Sequence, residues 1–289
     1  ACPTDVFLKG DGEEVHRTLG YVEEQDFIQF AKDAENPEKT LSALKKKFDK
    51  GEKDPEFLKN LAGLTIYNDA DFTGKVLERY FAAKTTLDKD DIQMILAGTQ
   101  STESPVYKIF QNKKEEIIKI FPAENYEMFD KNIKLNTIMK KTYSADTKKW
   151  NDAYFLTETQ KFLTKEESEK LLKRAKSNRA LKDKDFATYE KISLDLYKDY
   201  STLGSEELNS IAWNFFENVN TKSSLETAIK WAQESVKKNE EYANTDTLAN
   251  LYNKIGDKKN AKIWAEKSIA LGKTAGEDTS DTEKILQGL

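Results

Sequence analysis

The chain is 289 residues long, with 34% charged and 38% apolar side chains, and 46 basic against 51 acidic groups leave a formal charge of −5. A chain of this size can bury a sizeable core without a disulfide or metal staple, and so balanced a charge argues against a dedicated nucleic-acid or anionic-membrane binder. Cys2 is the only cysteine and His16 the only histidine, which excludes an intrachain disulfide, a tetrahedral zinc site and a CxxC pair; no metal or cofactor is expected.

The first stretch, TDVFLK, alternates so that Val6 and Leu8 share a face, GDGE signals a tight turn, and EVHRTLGYV alternates again. The pattern predicts a β-hairpin. EEQDFIQFAKDA follows, with Phe27, Phe30, Ala31 and Ala34 on one helical face. A lone hairpin and helix are marginal in water and expose strand edges, so a further strand is expected beside Thr4 to Leu8, from another segment or another chain.

Beyond residue 35 helices are expected throughout. Asn36-Pro37, Asp54-Pro55 and Ser104-Pro105 each place a capping side chain before a proline suited to a first helical position. Thr164 with Glu167 forms a capping box, and Ser205 with Glu206 and Glu207 predicts another helix start. Apolar residues recur at helical intervals, among them Leu41, Leu44 and Phe48, then Phe57, Leu58, Leu61 and Leu64, then Val76, Leu77, Tyr80 and Phe81, which suits core packing. No glycine lies between Gly98 and Gly204 and no proline after Pro122, so little is expected to interrupt the helices. Regions 54–86 and 164–200 look like helical pairs. The TGK at Thr73 to Lys75 lacks the spaced glycines of a phosphate loop. No apolar run reaches the roughly 18–20 residues of a membrane span. Ala1 to Val6 has neither the basic nor the apolar segment of a secretory signal.

The C-terminal third repeats itself. AIKWAQESV from Ala228 returns as AKIWAEKSI from Ala261, aligning Trp231 with Trp264, Ala232 with Ala265 and Ser235 with Ser268 at a period of 33, the size of one two-helix unit. Leu248, Ala249, Tyr252 and Gly256, followed by Ala261, Ala265 and Ser268, resemble a tetratricopeptide repeat over Ala243 to Leu271. The preceding copy, with Ile211, Ala212 and Phe215, carries about four extra residues in ENVNTKSS, and the usual proline ending each repeat is absent. Such repeats imply a protein or peptide partner, with Trp231, Tyr252 and Trp264 as candidate aromatic anchors.

The opening stretch also resembles a family. CPTDVFLKGDGEEVHRTLGYVEEQDFIQFAKDA looks like the C-terminal half of a thioredoxin fold: a Pro-Thr pair opening a strand, a DG turn, a second strand ending at Gly20, and a closing helix. The resemblance implies that Pro3 is the cis-proline beside the active site, and that Cys2, Pro3 and Thr4 form the loop that pairs with an extended substrate. It implies an upstream strand, a CxxC at a helix N-terminus and another strand, supplied by a missing N-terminal half or another chain. The wider layout resembles thioredoxin-like envelope proteins with helical extensions, hence a periplasmic or cell-envelope location.

The sequence therefore predicts a mostly α chain in three parts. Residues 1–35 form the C-terminal half of a thioredoxin-like domain, 36–200 a region of helical hairpins, and 201–289 tetratricopeptide-like repeats in a solenoid. The expected function is that of a relative of thiol:disulfide exchange and isomerase proteins with a helical protein-binding region. This stretch alone lacks the CxxC needed for dithiol exchange, so no residue in it is assigned as catalytic. The alternative is a non-catalytic adaptor or scaffold subunit of an envelope complex.

Overall fold

A computed structural model describes residues 4–10, 12, 14–19, 23–67, 69–82, 84 and 86–289, and, for Thr4, residues 16–19 and Asp26, the backbone alone. The fold is mostly α, 71% helical, with 16 helices and two short antiparallel strand pairs among the described residues. Two compact units divide at Asn151/Asp152.

The first unit opens with β1 (Thr4–Leu8) paired antiparallel with β2 (Glu14–Leu19), Phe7 opposite His16, with a register shift between Phe7 and Leu8. Gly12, at φ 88°, supplies the left-handed turn residue. Helix α1 (Glu24–Glu35) follows and sets Phe27 against Phe7, ring centroids 5.7 Å apart. Next come α2 (Leu41–Asp49), α3 (Pro55–Thr65), α4 (Ala70–Ala82), α5 (Lys89–Gly98), α6 (Pro105–Asn112), α7 (Lys114–Ile117) and α8 (Ala123–Thr142). The caps at Asp54 and Ser104 form as expected, each accepting from a main-chain N–H of the first turn.

Asn36-Pro37 does not start a helix. Asn36 ends α1 and its Oδ1 accepts from Glu38 N at 3.0 Å, closing a turn, while Thr40, four residues on, caps α2 by accepting from Ala43 N. The asparagine side chain satisfied a turn instead of a helix end, an alternative open to any Asx residue. A second departure is the short hairpin of β3 (Tyr143–Ser144) and β4 (Lys149–Trp150), which interrupts the glycine-free middle of the chain. Lys148 takes φ 53° in its turn, so a lysine does what a glycine would have advertised.

The core of this unit gathers Leu58, Leu61, Val76, Leu77, Ile95, Phe110 and Tyr126, with Phe110 stacked on Tyr126 at 4.2 Å. Gly74 of the TGK stretch lies in α4 facing α6: a Cβ there would fall 2.3 Å from Pro105 Cβ. This glycine permits helix packing rather than cradling a phosphate.

The second unit contains α9 (Asp152–Thr159), α10 (Lys165–Lys182), α11 (Phe186–Leu196), α12 (Ser205–Asn218), α13 (Lys222–Lys238), α14 (Tyr242–Lys254), α15 (Lys258–Ala275) and α16 (Ser280–Gln287). Thr164 and Glu167 form the expected capping box. Ser205 does not cap α12; Gly204 stands at the cap and Ser205 is the first helical residue, its hydroxyl turned to Ser235 O at 2.9 Å. The link between α12 and α13 and that between α14 and α15 are both three residues, 219–221 and 255–257. The extra residues of the earlier copy thus lie in the first turn of α13, where Ser224 and Leu225 are buried, not in a longer connection. One core runs from Ala180 through Leu208, Phe215 and Ala228 to Leu251, centred on fully buried Trp231, whose ring meets Phe215 edge-on at 4.9 Å.

Candidate protein-binding surfaces

The residues singled out in the sequence fall in two regions, the N-terminal hairpin and the paired helices α12 to α15. Of the three residues that the thioredoxin resemblance singles out, Cys2 and Pro3 lie outside the described residues, as does Gly20. Thr4 begins β1 with its backbone opposite Leu19. Among the described residues β2 is the strand paired with β1. Val6 and Leu8 are 44% and 59% exposed, and Phe27 and Ile28 of α1 are exposed as well. His16 has its backbone opposite Phe7 in β2.

In the second unit the repeated serine has one structural role in both copies. Ser235 Oγ donates to Ser205 O at 2.8 Å and Ser268 Oγ donates to Tyr242 O at 3.2 Å. Ser205 and Tyr242 are the first residues of α12 and α14, so each hydroxyl ties the second helix of a pair to the start of the first. The repeated tryptophan does not share one role. Trp231 is wholly buried and is not an exposed anchor, since its ring fills the space between α12 and α13; Trp264 and Tyr252 are half-buried at the margin of that core. Trp264 carries Lys267 Nζ over its ring at 5.2 Å, and Tyr252 OH accepts from Gln233 Nε2 at 2.9 Å. Burial raises the pKa of the Tyr252 hydroxyl, against the Gln233 hydrogen bond, which lowers it.

Sequence reasoning missed a further group. Trp213 and Phe216, one turn apart on α12, are half-buried with ring centroids 5.0 Å apart. Lys254, near the end of α14, places its ammonium 5.5 Å from the Phe216 centroid and donates to Phe216 O. Burial holds the Lys254 pKa below the usual lysine value. The aromatic pair was visible in IAWNFFEN; the lysine, 38 residues away from Phe216, was not.

Among the described residues no group of three or more His, Cys, Asp or Glu side chains could hold a metal ion, and no helix is long and apolar enough to cross a membrane. No protein-family model matches the chain, and no curated protein matches it significantly.

Proposed function

We propose that this chain is a protein-binding helical-repeat segment joined to the C-terminal half of a thioredoxin-like domain, and that it works within a thiol:disulfide exchange or isomerase protein of the cell envelope. The observation that carries the reading is the hairpin of β1 and β2 running into α1, with Val6, Leu8, Phe27 and Ile28 exposed. The order strand, turn, strand, helix is that of a thioredoxin half. Exposed apolar side chains on a two-stranded sheet and the helix after it are what a domain completed by further strands would cover. The helix pairs α12/α13 and α14/α15, with three-residue turns and serine ties in matching places, support the tetratricopeptide-like part of the reading. Paired helices of this kind bind partner segments on their inner face.

In such a protein the dithiol would come from the added half, since the thiolate of a CxxC at a helix N-terminus is the attacking group. This chain would supply the Cys2-Pro3-Thr4 loop that aligns the substrate backbone, and helices that hold the client.

The redox part is tested by joining the chain to the segment encoded immediately upstream of Ala1 and assaying disulfide reshuffling on a scrambled substrate. A strand–CxxC–helix segment there and measurable turnover are the expected results; its absence overturns the redox part in favour of an adaptor. Protein binding is read separately, by titrating the chain with a carboxymethylated, permanently unfolded test protein. Saturable binding is expected, and none would remove the client-holding role.

A further inference from the structure

We infer that Trp213, Phe216 and Lys254 form a recognition point for an acidic side chain flanked by an apolar one on a partner segment, an assignment that rests on the protein-binding reading above. Lys254 is half-buried, and its acceptor is a main-chain carbonyl, that of Phe216; among the described residues no carboxylate forms an ion pair with it. Most of the other half-buried lysines do have such a partner: Lys45 meets Asp69 at 2.7 Å, Lys59 meets Asp90 at 2.9 Å and Lys84 meets Asp91 at 2.5 Å. A partly desolvated ammonium left with a neutral acceptor keeps unspent capacity for an anion, since its remaining N–H donors bond most strongly to a carboxylate.

The aromatic pair completes the point. Phe216 packs back onto the core around Trp231, whereas Trp213 stands outside that core with its ring against Phe216. Lys254 lies over the Phe216 ring and Trp213 packs against that same ring, so apolar area and a charge meet at Phe216, the combination from which binding hot spots are built. Charge complementarity selects the occupant: a carboxylate on Lys254 and an aliphatic or aromatic side chain on Trp213. A basic segment would meet a like charge there, and a wholly apolar one would bury the ammonium without compensation.

The competing account is that Lys254 only caps the C-terminal end of α12, where a cation meets the helix dipole. The full chain separates the two. A short fluorescein-labelled peptide of alternating aspartate and leucine is titrated by anisotropy, beside an isosteric peptide of alternating asparagine and leucine. We expect the acidic peptide to bind about tenfold more tightly than the amide peptide, the scale of one charge-assisted contact. Lys254→Met should erase that difference, Lys254→Arg should retain it, and Trp213→Ala should weaken both peptides. Circular dichroism melts of each variant check that the fold persists. Equal affinities for the two peptides, no binding of either, or a Lys254→Met variant that loses thermal stability while keeping the preference would each overturn the inference. Titration with the unfolded test protein then decides independently whether the broader protein-binding reading survives.

Discussion

Ser268 donates its hydroxyl proton to the main-chain carbonyl of Tyr242 at 3.2 Å, and in doing so repeats, one period later, the contact of Ser235 with Ser205. Both serines are fully buried, so in each copy a carbonyl at the start of the first helix is satisfied by the second helix. The earlier copy is more elaborate. Ser205 returns a hydrogen bond to Ser235 O at 2.9 Å, and Asn244 Nδ2 donates to Ser235 Oγ at 3.1 Å and to Asn239 O at 2.6 Å.

Removing these hydroxyls should therefore cost unequal amounts. Ser268→Ala deletes one buried hydrogen bond, about 1 kcal/mol, whereas Ser235→Ala also strips an acceptor from buried Asn244 and should cost about 2–3 kcal/mol. Urea unfolding of the full chain followed by tryptophan fluorescence gives both values. If Ser268→Ala proves the more damaging, the network around Ser235 is not the stronger tie.

The close glycines make a second prediction. A Cβ at Gly74 would sit 2.3 Å from Pro105 Cβ, an atom fixed to the backbone, so α4 and α6 would have to separate. A Cβ at Gly272 would meet Thr279 Cγ2 at 2.5 Å and the Tyr242 ring at 2.9 Å, both side chains that hold the α16 end. Each Gly→Ala change should destabilise by about 1–3 kcal/mol, the scale of core overpacking. The Gly272→Ala effect should be local: hydrogen exchange of residues 280–287 should quicken while that of α12 stays unchanged.

These cases show what was legible in the sequence. The caps at Asp54, Ser104 and Thr164 could be read because a proline or a glutamate at fixed spacing accompanies each one, and the local chemistry determines the outcome. At Asn36 the same local chemistry had two solutions, and Thr40 resolved the choice. The β3/β4 hairpin was hidden because Lys148, at φ 53°, occupies its left-handed position and lysine advertises nothing. The period-33 repeat was plain as a pattern, yet the equivalence of Trp231 and Trp264 broke down. Burial depends on how many helices lie on each side, and that is a tertiary property. The approach of Lys254 to Phe216 was beyond reach for the same reason.

A third prediction concerns the α4–α5 junction. Asp91 is wholly buried and takes Lys84 Nζ at 2.5 Å, Tyr80 OH at 2.8 Å and Asp88 N at 2.9 Å. Lys84→Met would leave a buried carboxylate without its cation. The loss should be about 2–3 kcal/mol, below that of a fully enclosed pair because Lys84 keeps 27% of its side-chain surface in water. Burial works against the Lys84 charge, but hydrogen bonds to Asp91, Tyr80 and Asp88 outweigh it and raise its pKa above the usual 10.5. A cation with a raised folded-state pKa stabilises fully below its unfolded value and loses that contribution as pH rises past it. Wild-type stability should thus fall above pH 10.5 by an amount that Lys84→Met does not show, in equilibrium unfolding at pH 9 and pH 11.

At Asp246 the surroundings penalise the charged form instead of favouring it, so here removing the charge should stabilise. It lies in α14 facing α16, accepting from Thr282 Oγ1 at 2.5 Å and from Asn250 Nδ2 at 3.1 Å. Burial raises its pKa above the usual 3.8, the Thr282 and Asn250 hydrogen bonds lower it, and the nearby Asp281 charge raises it further. A carboxyl group whose folded pKa is raised binds its proton more tightly when folded, so its contribution to stability shrinks as pH climbs from 3.8 through the folded value. Asp246→Asn removes the ionisation while keeping an oxygen to accept from Thr282. The variant should accordingly be more stable than the wild type at pH 7, with an advantage that narrows as pH falls toward 4. Thermal melts at pH 4.5 and 7 measure both limbs. A wild type that gains on the variant as pH rises would mean that the Asp246 carboxylate is stabilised by its surroundings rather than penalised by burial.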